Sequence, residues 1–336
     1  MDAFQKTIVS KNKDPFPEIF GQDGAKKGAI SAILAGRHFA ILGYPGVGKT
    51  TLAKSVARLL PEIPVVSGCD FNCDPADPVC PVCLKRKAKG EKLASEKSPG
   101  IKRFIRVQGS PDLQPEDLLG DIDPVKALEF GPRDSRAFTP GKILRAHRGI
   151  LFFDEINRCP ERLQNSLLQV LEEGRVTVSG YEVDYPTDFI LIATMNPKES
   201  AGTEKLSEAL LDRLDFIKMD FPETPETEKK IAEEKSAKIE GVKVPEKVLS
   251  AIVSIVRATR ADERIERPAG VRATIGLYER VQGQALSNGR KQAEMSDLLE
   301  VVHSVLDHRI KLSPKFRHSI EPAEVVDSLI AQQVPK

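Results

Sequence analysis

Eight consecutive residues, Gly43-Tyr-Pro-Gly-Val-Gly-Lys-Thr50, have the types and spacing of a phosphate cradle, G-x-x-x-x-G-K-[ST]. Gly43 and Gly48 let backbone N–H groups turn inward onto phosphate oxygens with no Cβ in the way. Tyr44, Pro45, Gly46 and Val47 fill the variable positions. Lys49 brings a cation for the β/γ-phosphates, and the hydroxyl of Thr50, followed by Thr51, can ligate Mg²⁺. A cradle alone binds; hydrolysis needs carboxylates. Gly149-Ile-Leu-Phe-Phe-Asp154-Glu155 supplies a pair at the end of an apolar run. Asp154 can complete a Mg²⁺ coordination sphere, and Glu155 can orient and polarise an attacking water.

A second set of reactive residues is Cys69-x₃-Cys73-x₆-Cys80-x₂-Cys83. Structural zinc sites pair C-x₂₋₄-C units, usually farther apart than these. The loop is rich in proline (Pro75, Pro78, Pro81) and can still fold four thiolates round one ion. Structural Zn²⁺, thiol redox switching, an iron–sulfur cluster and no metal all remain open readings. Cys159 reads as a small, partly buried residue. The five histidines are scattered and read as core or surface residues.

The elements that must hold these groups follow from the apolar pattern. His38–Leu42, Phe104–Val107, Gly149–Phe153 and Phe189–Thr194 read as buried strands, with Pro61–Val66 as a further candidate. Thr51–Leu60 is apolar at helical spacing, so a helix N-terminus faces the anion. Strands alternating with helices predict a mostly parallel sheet covered on both faces, an α/β fold. Such sheets place ligands at the carboxyl ends of their strands, where Gly43 and Asp154 fall. Phe221-Pro-Glu-Thr-Pro225 breaks the alternation, and everything after it reads as helix. The domains expected are residues 1–222, an α/β nucleotide-binding domain, and 225–336, an all-helical one. Two segments interrupt the first: a Cys-rich insertion at 68–101 and a loop or hairpin at 121–139, a place for partner contacts. The run Lys85-Arg-Lys-Ala-Lys-Gly-Glu-Lys92 reads as a solvated loop or a contact for an acidic partner.

Length and composition set the bounds. The chain has 336 residues, enough for two domains, and its net charge of +1 provides no basic field for tracking nucleic acid. Met1-Asp-Ala-Phe-Gln-Lys-Thr7 lacks the basic-then-apolar order of a signal peptide, and no apolar run is long enough to span a bilayer, so a cytoplasmic location is expected.

Taken together, Gly43–Thr50, Ile150–Glu155 and Ala193-Thr-Met-Asn196-Pro197 resemble the Walker A, Walker B and sensor 1 motifs of AAA+ ATPases. The resemblance implies a P-loop AAA+ parallel-sheet core with a C-terminal all-helical lid domain. It also implies an activity, hydrolysis of ATP with Mg²⁺. Asn196 would help position the water, Arg213 of Leu210-Leu-Asp-Arg213 would reach a neighbouring subunit's ATP, and Arg272 of Ala269-Gly-Val-Arg272 would act as sensor 2. Ile19-Phe-Gly-Gln22 resembles the loop that packs against adenine. Within the family, Phe138–Gly149 is similar to the branch of magnesium-chelatase I subunits and MoxR ATPases. The P-loop residues Tyr44 and Pro45, Asp154–Arg158, Leu168–Val178 and Gly202–Arg213 look like MoxR, whereas Leu60–Pro75 looks like the chelatase subunit's Cys-bearing insertion. The branch carries an insertion in helix 2 of the core, where 121–139 falls, so Phe130 or Phe138 is expected to contact the client. The implied assembly is a homo-oligomeric ring, with a hexamer expected. It would act with chelatase subunits on a tetrapyrrole, or with an integrin-like (VWA) domain partner in metalloenzyme or complex maturation. A P-loop binding switch without catalysis is the third reading, and the Asp154-Glu155 pair argues against it.

Overall fold

A computed structural model describes residues 14–131, 134, 136–178, 183–196 and 206–334. Met1–Thr7, Pro132, Pro197 and the 202–205 part of the segment leading to Arg213 lie outside the described residues. The chain divides into two compact units, residues 1–19, 23–43 and 48–219, and residues 20–22, 44–47 and 220–336.

The first unit is built on a five-stranded sheet. Its strands are β1 (Phe39–Leu42), β2 (Phe104–Gln108), β3 (Gly149–Asp154), β4 (Phe189–Met195) and β5 (Asp215–Lys218), in the order β5-β1-β4-β3-β2 with every pairing parallel. Phe39, Ile41, Ile150, Leu151, Phe152, Leu191 and Ile192 are fully buried, as strands covered on both faces require. Each contributes about 1.5–3 kcal/mol by leaving water. The register sets the chemistry: Leu42 lies opposite Met195 and Gln108 opposite Asp154, so the P-loop, Asn196, Glu155 and Gly109 all leave from one edge of the sheet. The helix Lys49–Leu59 follows the P-loop and buries Leu52, Ala53, Val56 and Ala57. Gly48 caps it at φ 101°, a left-handed conformation that a side chain would resist.

Two expectations change here. Ile63–Val66 is a strand, but it stands outside the main sheet and pairs antiparallel with Ser95–Ser98. The fifth sheet strand is instead Asp215–Lys218, beside β1. The four cysteines lie between the two strands of that hairpin, together with a helix, Pro81–Ala88, and the second strand falls inside the 68–101 insertion. The 121–139 interruption is a hairpin: Gly120–Ile122 pairs antiparallel with Phe138–Pro140, with a helix, Pro124–Phe130, between them.

The second unit packs helices Pro225–Lys235, Glu246–Ala258, Val271–Ser287, Met295–Leu306 and Pro322–Gln333. Ile252, Val256, Leu277, Val281, Val302 and Leu306 form its core. It is not all-helical: Ile265–Arg267 and Lys311–Leu312 form a two-stranded antiparallel pair. Glu228 is fully buried, yet it takes a two-pronged pair from Arg260 at 2.7 and 2.8 Å and a hydrogen bond from the Thr274 hydroxyl at 2.7 Å. No helix among the described residues is long and apolar enough to cross a membrane.

Candidate active site

The buried end of Lys49 lies inside the first unit. Its Nζ donates to the Gly43 carbonyl and, at 3.0 Å, to Asn196 Oδ1. The P-loop lysine and the polar residue closing β4 are therefore in direct contact. Thr50 and Thr51 form the first turn of the helix behind it.

Asp154 and Glu155 are set by a residue that sequence reasoning passed over. Thr194, fully buried in β4, donates its hydroxyl to Asp154 Oδ1 at 2.6 Å and accepts the Glu155 backbone N–H at 2.9 Å. One oxygen thus fixes both acidic residues. Glu155 sits at φ 54°, ψ 52°, a left-handed conformation unusual for a residue with a side chain. Strain of this kind persists only where its surroundings hold it, and it gathers at functional sites. Gly109 completes the hold: its N–H donates to the Asp154 carbonyl at 2.7 Å, and a Cβ there would collide with the Glu155 carbonyl oxygen.

Basic and amide groups cover the two carboxylates. Arg106 Nη2 reaches Asp154 Oδ2 at 2.6 Å, Arg158 Nε reaches Glu155 Oε2 at 3.0 Å, and Gln108 Nε2 lies 3.5 Å from the same oxygen. The stretch around Gln108 and Gly109 therefore faces the site. An isolated Arg or Gln in a strand end carries no signal of that role; only the pairing of β2 with β3 reveals it. The groups at this edge, two carboxylates and a lysine beside a glycine-rich turn, suit a magnesium–triphosphate.

Arg213 follows the short helix Glu208–Asp212 and is paired with Glu172 on the helix Glu161–Glu173, with its side chain half-exposed. Tyr44, Pro45, Gly46 and Val47 group with the second unit, which also holds Arg272. There the Tyr44 ring stacks on Phe221 with centroids 4.9 Å apart, and Arg260 covers the Phe221 ring at 4.3 Å. A Cβ on Gly46, whose φ is 86°, would meet Arg272 Cγ at 3.0 Å, and one on Gly270 would meet the Pro45 carbonyl oxygen at 2.5 Å. The tip of the P-loop and the segment Ala269–Arg272 thus approach so closely that glycine is required on both sides. Phe138, expected to contact a client, is buried and packs on Tyr185 at 5.6 Å between centroids. Phe130 is half-buried under the Arg136 guanidinium. The exposed apolar side chains of that helix are Val125 and Leu128, which read as nothing special in the sequence.

The four cysteines converge. Their sulfur atoms all lie within 4.8 Å of one another, and Cys73, Cys80 and Cys83 are buried. All are free thiols. Hydrogen bonds from Cys73 and Cys80 hold the Cys69 thiol far below its ordinary value. Sharing with Cys69 pushes Cys73 and Cys80 up, and burial raises Cys83.

Residues 87–216 match the ATPase family associated with various cellular activities (AAA), 257–329 match the AAA lid domain, and 15–68 match the magnesium chelatase subunit ChlI family. The chain is 29% identical to the magnesium-chelatase subunit ChlI homolog of Methanocaldococcus jannaschii, covering 95% of this chain and 90% of that protein. It is 30% identical to the magnesium-chelatase subunit ChlI of Mesostigma viride, covering 94% of this chain and 91% of that one. The fold is similar to that of a chain in the complex between subunits BchI and BchD of magnesium chelatase, with a TM-score of 0.50 at 21% identity over 94% of this chain and all of that one.

Proposed function

Because the chain belongs to the magnesium-chelatase I-subunit branch of the AAA+ ATPases, we propose that it hydrolyses ATP to drive remodelling of a partner, in the manner of the ATPase subunit of a magnesium chelatase. The observation that carries this reading is the single sheet edge on which Lys49, Asn196, Asp154 and Glu155 stand, with Thr194 holding the Asp154 carboxylate and the Glu155 backbone. In this proposal the Gly43–Thr50 backbone and Lys49 hold the phosphates, while Thr50 and Asp154 hold Mg²⁺. Glu155 orients the attacking water, and Asn196, bonded to Lys49, helps to position it. Arg213, half-exposed and paired among the described residues with the surface carboxylate Glu172, can exchange that partner for a neighbouring subunit's nucleotide. A guanidinium there neutralises charge on the transferring phosphoryl group, which makes a homo-oligomeric ring, a hexamer by analogy, the active form. Arg272 acts from the helical unit as sensor 2.

The client divides the reading. The likeness to chelatase subunits over nine-tenths of the chain favours metal insertion into a tetrapyrrole with the other chelatase subunits. The P-loop stretch Tyr44–Val47 favours a MoxR-type chaperone working with an integrin-like domain partner. The clustered free thiols suit a reducing, cytoplasmic compartment and a structural zinc ion. Measuring ATP turnover with each class of partner tests the choice. Stimulation by chelatase subunits and porphyrin supports the first reading, and stimulation only by an integrin-like domain protein replaces it with the second.

A further inference from the structure

We infer that the four thiols hold a zinc ion whose task is to clamp the Cys-rich insertion onto the 120–140 hairpin, so that the surface offered to a partner is rigid only when the metal is bound. The inference rests on the structural-zinc reading above and extends it from an ion to a mechanical role.

The geometry of the thiols suits one tetrahedral ion. Zinc–sulfur bonds of about 2.3 Å place sulfurs about 3.8 Å apart. Cys69 Sγ and Cys80 Sγ are 3.8 Å apart, and no pair among the four exceeds 4.8 Å. A disulfide needs sulfurs about 2.05 Å apart, and a multinuclear cluster would spread them well beyond this by interposing its own atoms. Backbone N–H groups already point at the sulfurs: Val79 and Cys80 donate to Cys73 Sγ at 3.4 and 3.3 Å, and Cys83 donates to Cys80 Sγ at 3.3 Å. Such bonds stabilise thiolate ligands and fix their direction.

The site is joined to two other elements. A cavity of about 140 Å³ opens beside the thiols, and Phe138 and Pro140 of the hairpin line it together with Cys69, Phe71, Cys80 and Cys83. Phe71, between the first two cysteines, packs edge-on against Tyr185, which also packs on Phe138. Asn72, at φ 48°, donates its amide to the Arg145 and His147 carbonyls at 2.9 and 3.2 Å. Arg148 returns two hydrogen bonds to the insertion, to the Asn72 carbonyl at 3.1 Å and Asp74 at 3.0 Å. The insertion is therefore stapled to the turn that enters β3, the strand ending in Asp154, and to the strand that closes the hairpin. The hairpin carries the exposed Val125 and Leu128. A loop this short cannot order four clustered thiols, three of them buried, by its own core, so the ion supplies the order that the staples transmit.

The test uses the full chain purified under reducing conditions. Metal analysis should find about one zinc per chain. Hydrogen exchange is then followed before and after zinc is stripped with a chelator, and again after zinc is added back. Stripping should speed exchange in 67–98 and in 120–140 by about tenfold or more, leave Phe39–Leu42 and Glu246–Ala258 unchanged, and be reversed by zinc. The pair Cys69→Ser with Cys83→Ser should reproduce the stripped state. Zinc present but 120–140 unaffected by its removal overturns the clamp and leaves the zinc reading standing. Exchange rising equally at Phe39–Leu42 also overturns the clamp, because the ion would then hold the whole unit. Absence of zinc, or iron in its place, overturns the zinc reading and the clamp with it.

Discussion

Thr194→Val replaces one hydroxyl with a methyl group and keeps the shape of a fully buried side chain. The change removes the 2.6 Å hydrogen bond to Asp154 Oδ1 and leaves the Glu155 N–H without its acceptor. A hydrogen bond to a charged group contributes about 1.5–3 kcal/mol, and an orphaned buried N–H costs about 1–3 kcal/mol. Part of that total appears as lost stability and part as misplacement of the two carboxylates. If about 2–4 kcal/mol falls on the transition state, kcat drops about 30- to 900-fold. The assay is steady-state ATP hydrolysis at saturating nucleotide, with a thermal melt to separate unfolding from misplacement. Thr194→Ser keeps the oxygen and should retain most of the activity. A folded Thr194→Val protein within about threefold of wild type would refute the claim that this oxygen positions Asp154 and Glu155.

Further outcomes follow from the same structure. Arg213→Ala should abolish turnover yet leave ATP binding intact, and mixing it with Glu155→Gln subunits should restore partial hydrolysis, read by a phosphate-release assay across mixing ratios. Glu228→Ala strands Arg260 in the second unit and should cost about 3–5 kcal/mol, measured by denaturant unfolding. Burial lowers the pKa of His38 and His147, each of which accepts a backbone N–H on its Nδ1. The folded state therefore prefers neutral rings; their contribution is complete above the unfolded value of about 6.5 and is lost as pH falls below it. The unfolding midpoint should drop on acidification from pH 7 to 5, and His147→Gln should flatten that slope.

The sheet was legible where strands were apolar throughout, as in Gly149–Phe153, because a strand buried on both faces has no polar alternation to confuse it. Asp215–Lys218 escaped because Asp-Phe-Ile-Lys is a short edge strand between polar ends. Ile63–Val66 was legible as a strand but not in its pairing, which depends on Ser95–Ser98 beyond the cysteines. Phe138 read as a surface aromatic in a loop; its burial depends on Tyr185, far along the chain. In the site, Lys49, Asp154 and Glu155 stand at strand and helix ends where residue type and spacing mark them, and Asn196 is marked by the family resemblance. Thr194 is hidden in plain sight, since a threonine in a β-strand is expected for its branching alone.

The central claim is that Asp154 and Glu155 turn a phosphate cradle into a hydrolase. Phosphate release and nucleotide binding by Glu155→Gln beside wild type test it most directly. The wild type should hydrolyse ATP, and the variant should bind ATP with unchanged affinity and lose turnover. Equal hydrolysis by both would contradict it.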